Sequence, residues 1–203
     1  MSTADKSIDP RILEAAKAEF LSKPYQEVSL REICRKAGVT TGALYKRYES
    51  KEALFDTLVA PILELVDGFC KSTVDLNYNQ LDKKDMTPVW DSKTNRQNGV
   101  IDMMYDNQDG FLLLLCHADG TKYSNFIHDF TNTVTQHSMD FMREAHRRGL
   151  IDSVIDEEEL HMLLTAYWTT MFEPLLHGLS REKALIHSEI VAKLFDWNAV
   201  LGF

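Results

Sequence analysis

Residues 29–51, Ser-Leu-Arg-Glu-Ile-Cys-Arg-Lys-Ala-Gly-Val-Thr-Thr-Gly-Ala-Leu-Tyr-Lys-Arg-Tyr-Glu-Ser-Lys, leave little freedom in how this chain begins to fold. Leu30, Ile33, Cys34 and Ala37 fall at helical spacing on one face. Cys34 and Ala37 are small, so another helix can cross closely there. Ser29 and Glu32 have the spacing of a capping box, in which hydroxyl and carboxylate answer free backbone N–H groups reciprocally. Gly38 stands where that helix must stop, because it takes a left-handed conformation without a Cβ clash. Val39 plugs the turn, and Thr40 or Thr41 can cap a short second helix that carries Leu44 inward. Gly42, Ala43, Tyr45, Lys46 and Arg47 are left for its outer face and ends. Ser50 caps a third helix, with Lys51 in its first turn. This is the layout of a helix-turn-helix, whose second helix enters the DNA major groove.

The rest of the chain repeats the helical period, and β-type alternation is scarce, so the fold class is all-α. A first helix is expected from Asp9-Pro10, with Ile12, Leu13, Ala16 and Phe20 inward, broken at Pro24 and Tyr25. A helix from Lys51 to about Thr73 turns Leu54, Phe55, Leu58, Ile62, Leu65, Val66 and Phe69 inward, and Pro61 should bend it. Residues 76–88 are polar and read as a loop. Further helices are expected at 89–105, 108–118, 122–148, 156–177 and from Ser180 to about Val200. The stripe of the 122–148 helix is Tyr123, Phe126, Ile127, Phe130, Val134, Phe141, Met142 and Ala145. We place a DNA-binding head at 1–52 and a helical effector-binding and dimerisation domain at 53–203.

A net charge of −9 argues at first against nucleic acid, but the charge is unevenly spread. Residues 1–51 hold ten Lys/Arg against seven Asp/Glu, a net of +3, while residues 52–203 carry −12. The mildly basic head suits DNA and the acidic remainder repels it. The longest apolar run, Phe111–Cys116, is far too short to span a bilayer, and the N-terminus has no apolar signal core. Cys34, Cys70 and Cys116 are an odd count without metal-type spacing and read as reduced cytoplasmic thiols. The seven histidines are mostly too far apart to share a helical face; Glu157 with His161 reads as a solvated pair, so no metal is expected. No phosphate loop, nucleophile elbow or zinc-protease motif occurs, so neither an enzyme nor a cofactor is expected.

The run Ala37-Gly38-Val39-Thr40-Thr41-Gly42-Ala43-Leu44-Tyr45-Lys46-Arg47-Tyr48, followed by Ser50-Lys51-Glu52-Ala53-Leu54-Phe55, resembles the DNA-binding domain of tetracycline-repressor-type (TetR-family) transcription regulators. The resemblance covers about residues 9–70; beyond it only helical plan and length match. Cys34 stands where the family often has alanine. The resemblance implies that the helix at 40–48 lies in the major groove. Ser29, Thr40 and Thr41 then suit phosphate, and Gly42 and Ala43 permit close approach to base edges. Tyr45 reaches phosphate or base, Lys46 is the first candidate for base readout, and Arg47 reads a base, meets backbone or is solvated. Tyr48 and Lys51 resemble the family's phosphate clamp, with a half-buried core tyrosine as the other reading of Tyr48.

The resemblance also implies a homodimer and a small-molecule pocket. Leu163, Tyr167, Met171, Leu175, Ile186, Ile190, Leu194 and Trp197 are the candidate dimer residues, from which two helices per subunit would make a four-helix bundle. Met103, Met104, Phe126, Phe130, Met142, Trp168 and Phe172 are the candidate lining for a largely apolar effector, and plain core is the other reading of that stripe. The function expected is a DNA-binding regulator, a repressor released from a palindromic operator by its effector. The alternatives are a helical binding or assembly protein with an inactive helix-turn-helix, and a DNA-binding regulator without an effector.

Overall fold

The structure, a computed structural model, describes residues 8–84 and 96–197. Those residues form α1 (Ile8–Ser22), a 3-10 turn (Tyr25–Glu27), α2 (Leu30–Ala37), α3 (Thr41–Tyr45), α4 (Lys51–Lys83) and α5 (Arg96–Asp106). There follow α6 (Gln108–Cys116), α7 (Phe126–Arg147), α8 (Glu157–Leu176) and α9 (Arg181–Leu194). No strand occurs among the described residues, so the fold class is all-α as expected.

The chain divides into two compact units, Met1–Glu64 with Asn107–Ser124, and Leu65–Asp106 with Asn125–Phe203. The first unit thus holds α1–α3, the start of α4, and α6. Its core is Ile12, Ala16, Phe20, Ile33, Cys34, Ala37, Leu44, Leu54, Phe55 and Val59, all buried. Phe20 meets Phe55 edge-on at 5.1 Å and stacks on Tyr25 at 5.8 Å. Lys17 of α1 reaches Asp109 of α6 at 2.8 Å.

One charge lies inside this unit. Glu19 is 2% exposed, yet its carboxylate holds Lys23 one turn on at 2.6 Å and Lys36 of α2. Hydrogen bonds from Lys23 and then Lys36 pull its pKa below the ordinary carboxylate value, against the pull of burial. A depressed carboxylate stabilises the fold above its unfolded pKa, and that contribution is lost as pH falls through the folded pKa. Glu19→Gln is therefore expected to cost about 1–3 kcal/mol at pH 7. Urea melts of both proteins from pH 7 to pH 3 should show the gap closing with acid; a gap constant in pH would refute the role of the charge.

Gly110 of α6 lies so close to α4 that an added Cβ would stand 2.2 Å from Ile62 Cγ1 and 2.5 Å from its Cδ1. Alanine there is expected to cost about 1–3 kcal/mol through overpacking, despite its better helix propensity. Pairing it with Ile62→Ala should recover at least about 1 kcal/mol against additivity. Additive melting energies in the four proteins of that cycle would mean the two helices yield there.

Four expectations about the helices need correction. α4 continues through Pro61 and ten residues past Thr73, to Lys83, so residues 76–83 are helix rather than loop. Asn79, Asp82 and Lys83 there are exposed, while Tyr78 and Asp82 reach α7 and the residue that follows it. Leu81 is buried, Tyr78 meets Phe141 edge-on at 6.0 Å, and Asp82 pairs with Arg148 at 2.7 Å. Leu65, expected inward, is exposed. On α7, Ile127 and Val134 are half-buried, and Thr131, Thr135 and Ser138 take the inner positions. The threonines are buried at little cost because each donates its hydroxyl to its own helix, Thr131 to Ile127 O and Thr135 to Thr131 O, both at 2.8 Å. α9 ends at Leu194 rather than near Val200. Phe195 and Trp197 turn back onto the Tyr167 ring, at 5.4 and 5.8 Å, and the aromatic packing outweighs another helical turn. Residues 85–95 and 198–203, which include the expected start at 89 and the last residues of the final helix, lie outside the described residues.

Candidate nucleic-acid interface

α2 and α3 are built as the sequence demands, with one exception. Gly38 ends α2 at φ 65°, ψ 38°, and Val39 N–H returns to Cys34 O at 3.0 Å. Thr40, not Thr41, caps α3: its Oγ1 accepts from Ala43 N–H at 3.1 Å. Its hydroxyl hydrogen remains to be donated outward. The exception is the capping box on α2. The Ser29 hydroxyl accepts no bond from α2, and Glu32 grips Arg35 instead, with Arg35 Nε at 3.0 Å and Nη2 at 2.5 Å. A two-pronged guanidinium outcompetes a single backbone N–H for the carboxylate. Ser29 is left exposed at the head of α2, two residues before the exposed Arg31.

α3 buries Leu44 completely and offers the rest outward. Thr40, Thr41, Gly42 and Lys46 are exposed, Ala43 is half-buried and Tyr45 is 54% exposed, far more than a packed aromatic. Gly42 has no role inside the fold. A Cβ there would approach only Thr40 Oγ1, at an ordinary 3.9 Å, and its backbone is not left-handed.

The other three sequence candidates are engaged within the head. Arg47 is largely buried; it turns back to Asp9 of α1 and donates to Ala43 O at 3.2 Å. Tyr48 is half-buried, and burial followed by the nearby Asp9 charge raises its phenol above the ordinary value. Lys51 points its ammonium at three carbonyls, Tyr25 O at 2.7 Å, Gln26 O at 3.2 Å and Val28 O at 3.3 Å. It also sits 4.4 Å over the Tyr25 ring, and burial lowers its pKa. Tyr25 O already accepts from Val28 N–H at 3.2 Å, so Lys51 adds a second donor there and reaches the Gln26 and Val28 carbonyls at the end of the turn.

Residues 12–58 match the family model of bacterial regulatory proteins, tetR family. Residues 12–58 are a TetR-family N-terminal domain. The chain is 22% identical over 191 residues to the Transposon Tn10 TetC protein of Escherichia coli, covering 94% of this chain and 85% of that one. Among solved structures, its fold is similar to a candidate fatty acid metabolism regulator of Clostridium perfringens, with a TM-score of 0.60 and 21% identity over 92% of this chain and 97% of that one. A candidate TetR-family transcriptional regulator from Syntrophomonas wolfei superposes with a TM-score of 0.58 at 18% identity, covering 96% of each chain.

The two other residue sets fall in the second unit of the chain. Phe126, Phe130, Trp168 and Phe172 come together: Phe130 lies 4.8 Å from Trp168 and 6.1 Å from Phe172, and Phe126 stacks on Phe130 at 6.2 Å. Phe69 of α4 joins them 6.3 Å from Trp168. Met104 and Met142 are fully buried and Met103 half-buried. The dimer candidates divide. Tyr167, Met171, Leu175 and Trp197 are buried in the core of the chain itself, a correction to their reading as interface, because α7 and α9 cover that side of α8. Leu163 is half-buried. Ile186, Ile190 and Leu194 are 60%, 51% and 74% exposed, one stripe along α9. Met162 of α8 is 58% exposed as well. No sequence signal separates the two faces of an α8 that is apolar nearly all round.

No helix among the described residues is long and apolar enough to cross a membrane.

Proposed function

We propose that this chain is a sequence-specific DNA-binding transcriptional regulator, a homodimeric repressor released from a near-palindromic operator by a small molecule. One observation carries the reading. α3 holds itself in place with Leu44 and the Thr40 cap, and sets Thr41, Gly42, Tyr45 and Lys46 outward with no part in the packing. A glycine that the fold does not require suits a surface that must come close to something else, and base edges are what a helix-turn-helix approaches. Thr40, Thr41 and Ser29 supply hydroxyls for phosphate, and Lys46 reads a base. Tyr48, Arg47 and Lys51 support the reading helix rather than touch DNA. Two such helices in a dimer stand one or more helical turns apart, at about 34 Å per turn.

The second unit binds the effector and the partner subunit. α4 runs unbroken from the head into that unit and is the connection through which a ligand shifts the population away from the DNA-competent state. A 150-fold loss of affinity needs only about 3 kcal/mol of coupling.

Selection of duplexes from a random pool by the purified protein, followed by salt titration, tests this. An enriched palindrome is expected; a folded dimer that enriches nothing would remove the regulator reading. With the operator in hand, Gly42→Ala should leave the melting temperature unchanged or higher and weaken operator binding about tenfold, near 1.4 kcal/mol. Lys46→Ala should change preference at one base pair. Equal losses on all sequences would take base readout away from Lys46.

A further inference from the structure

Trp168 is 8% exposed, and its Nε1 atom is sealed from solvent without an acceptor from the chain. Among the described residues it is the one buried side-chain N–H left so. An indole N–H can only donate, so nothing short of an oxygen or nitrogen acceptor satisfies it. Around it stand Phe69, Phe130, Phe172 and Tyr167, with ring centroids 4.8–6.3 Å away. A phenyl ring at 168 would keep those aromatic contacts without stranding a donor. The buried hydroxyls of Thr131 and Thr135 on the facing helix are spent on their own helix, so they do not compete for the same acceptor.

We infer that the Trp168 indole N–H is the orienting hydrogen-bond donor of a small-molecule site in this aromatic cluster, and that the molecule is flat, uncharged and largely apolar with one acceptor oxygen, such as a ketone or quinone carbonyl. The inference rests on the effector-binding reading of the second unit. Aromatic faces and edges around the donor suit a flat apolar body. An ionised ligand is disfavoured, because one neutral donor among aromatic rings does not replace the water an anion loses. A site built to hydrogen-bond an oxygen discriminates strongly against the analogue that lacks it, since the buried donor is then left unpaired.

The test uses the full chain, labelled with 15N at tryptophan, without DNA, so it succeeds or fails apart from the operator selection. The probes are 9-fluorenone and fluorene, which differ by the carbonyl oxygen. The indole peak absent from Trp168→Phe belongs to Trp168. Fluorenone is expected to move that peak downfield and to bind at least tenfold tighter than fluorene, and Trp168→Phe to bind both alike. Where that variant does not fold, Trp90→Phe and Trp197→Phe assign the remaining wild-type peak to Trp168 by elimination. Equal affinities, a Trp168 peak that stays in place, or no binding of either probe would overturn the inference. So would an indole proton already shifted upfield by a neighbouring ring face, because its donor would then be satisfied within the cluster.

Discussion

Replacing Ile186 and Ile190 together by glutamate is expected to turn the proposed homodimer into a folded monomer and to weaken binding to the proposed operator by a hundredfold or more. Both side chains are majority-exposed in the single subunit, so charging them removes little from its own core. They follow one another at helical spacing with Leu194, and Ala184, Ser188, Val191 and Ala192 occupy the buried side of α9. A two-fold interface needs about 800 Å² from each partner, and a row of large apolar side chains on α9 with Met162 on α8 is suitable material. Four carboxylates brought together across the axis would lose hydration and repel one another. The loss on DNA follows because a second head multiplies affinity through effective concentration, commonly by 10²–10⁴. Sedimentation and circular dichroism of the double variant decide it. A dimer that persists with both glutamates places the interface elsewhere, and a wild-type protein that is monomeric removes it.

Lys51→Ala is expected to destabilise the first unit by about 3 kcal/mol, as several charge-assisted hydrogen bonds disappear and the Gln26 and Val28 carbonyls lose the ammonium that faces them. DNA affinity should fall with the population of folded heads, and the dependence of log K on log salt should keep its slope. A lysine that neutralised a phosphate would instead leave stability alone and reduce that slope by about one. The two roles therefore separate in a pair of measurements, urea melts and salt titrations of the same variant. An unchanged melt with a shallower slope would return Lys51 to the phosphate backbone. Arginine at 51 is not expected to rescue, since a planar fork does not converge on three carbonyls as a point-like ammonium does.

The head was legible because its signals are local. Gly38, the Thr40 cap, the Ser50 cap, with its Oγ accepting from Ala53 N–H at 3.0 Å, and the inward Leu44 each act within a few residues. What escaped was set by residues distant in the chain. The buried Glu19 links two lysines, one of them 17 positions on, and nothing around it marks it as interior. Lys51 carries the charge expected of a phosphate contact, but its target is backbone 23–26 residues earlier, which no side-chain pattern reveals. Residues 76–83 look like loop by composition and remain helix with Leu81 buried, Tyr78 against Phe141 of α7 and Asp82 paired with Arg148. The apolar stripes of α8 and α9 were visible, but their division into core and exposed face depends on which neighbour arrives first, and that is tertiary information.

α3 spans five residues and buries one side chain. Its remaining positions bear almost none of the folding energy of the head, so mutations there escape the stability filter that removes most changes in a small domain. Duplicated copies of such a gene can therefore drift in what they recognise while keeping the scaffold, the caps and the turn intact. New specificities lie a few substitutions away, with no unfolded intermediates along the route.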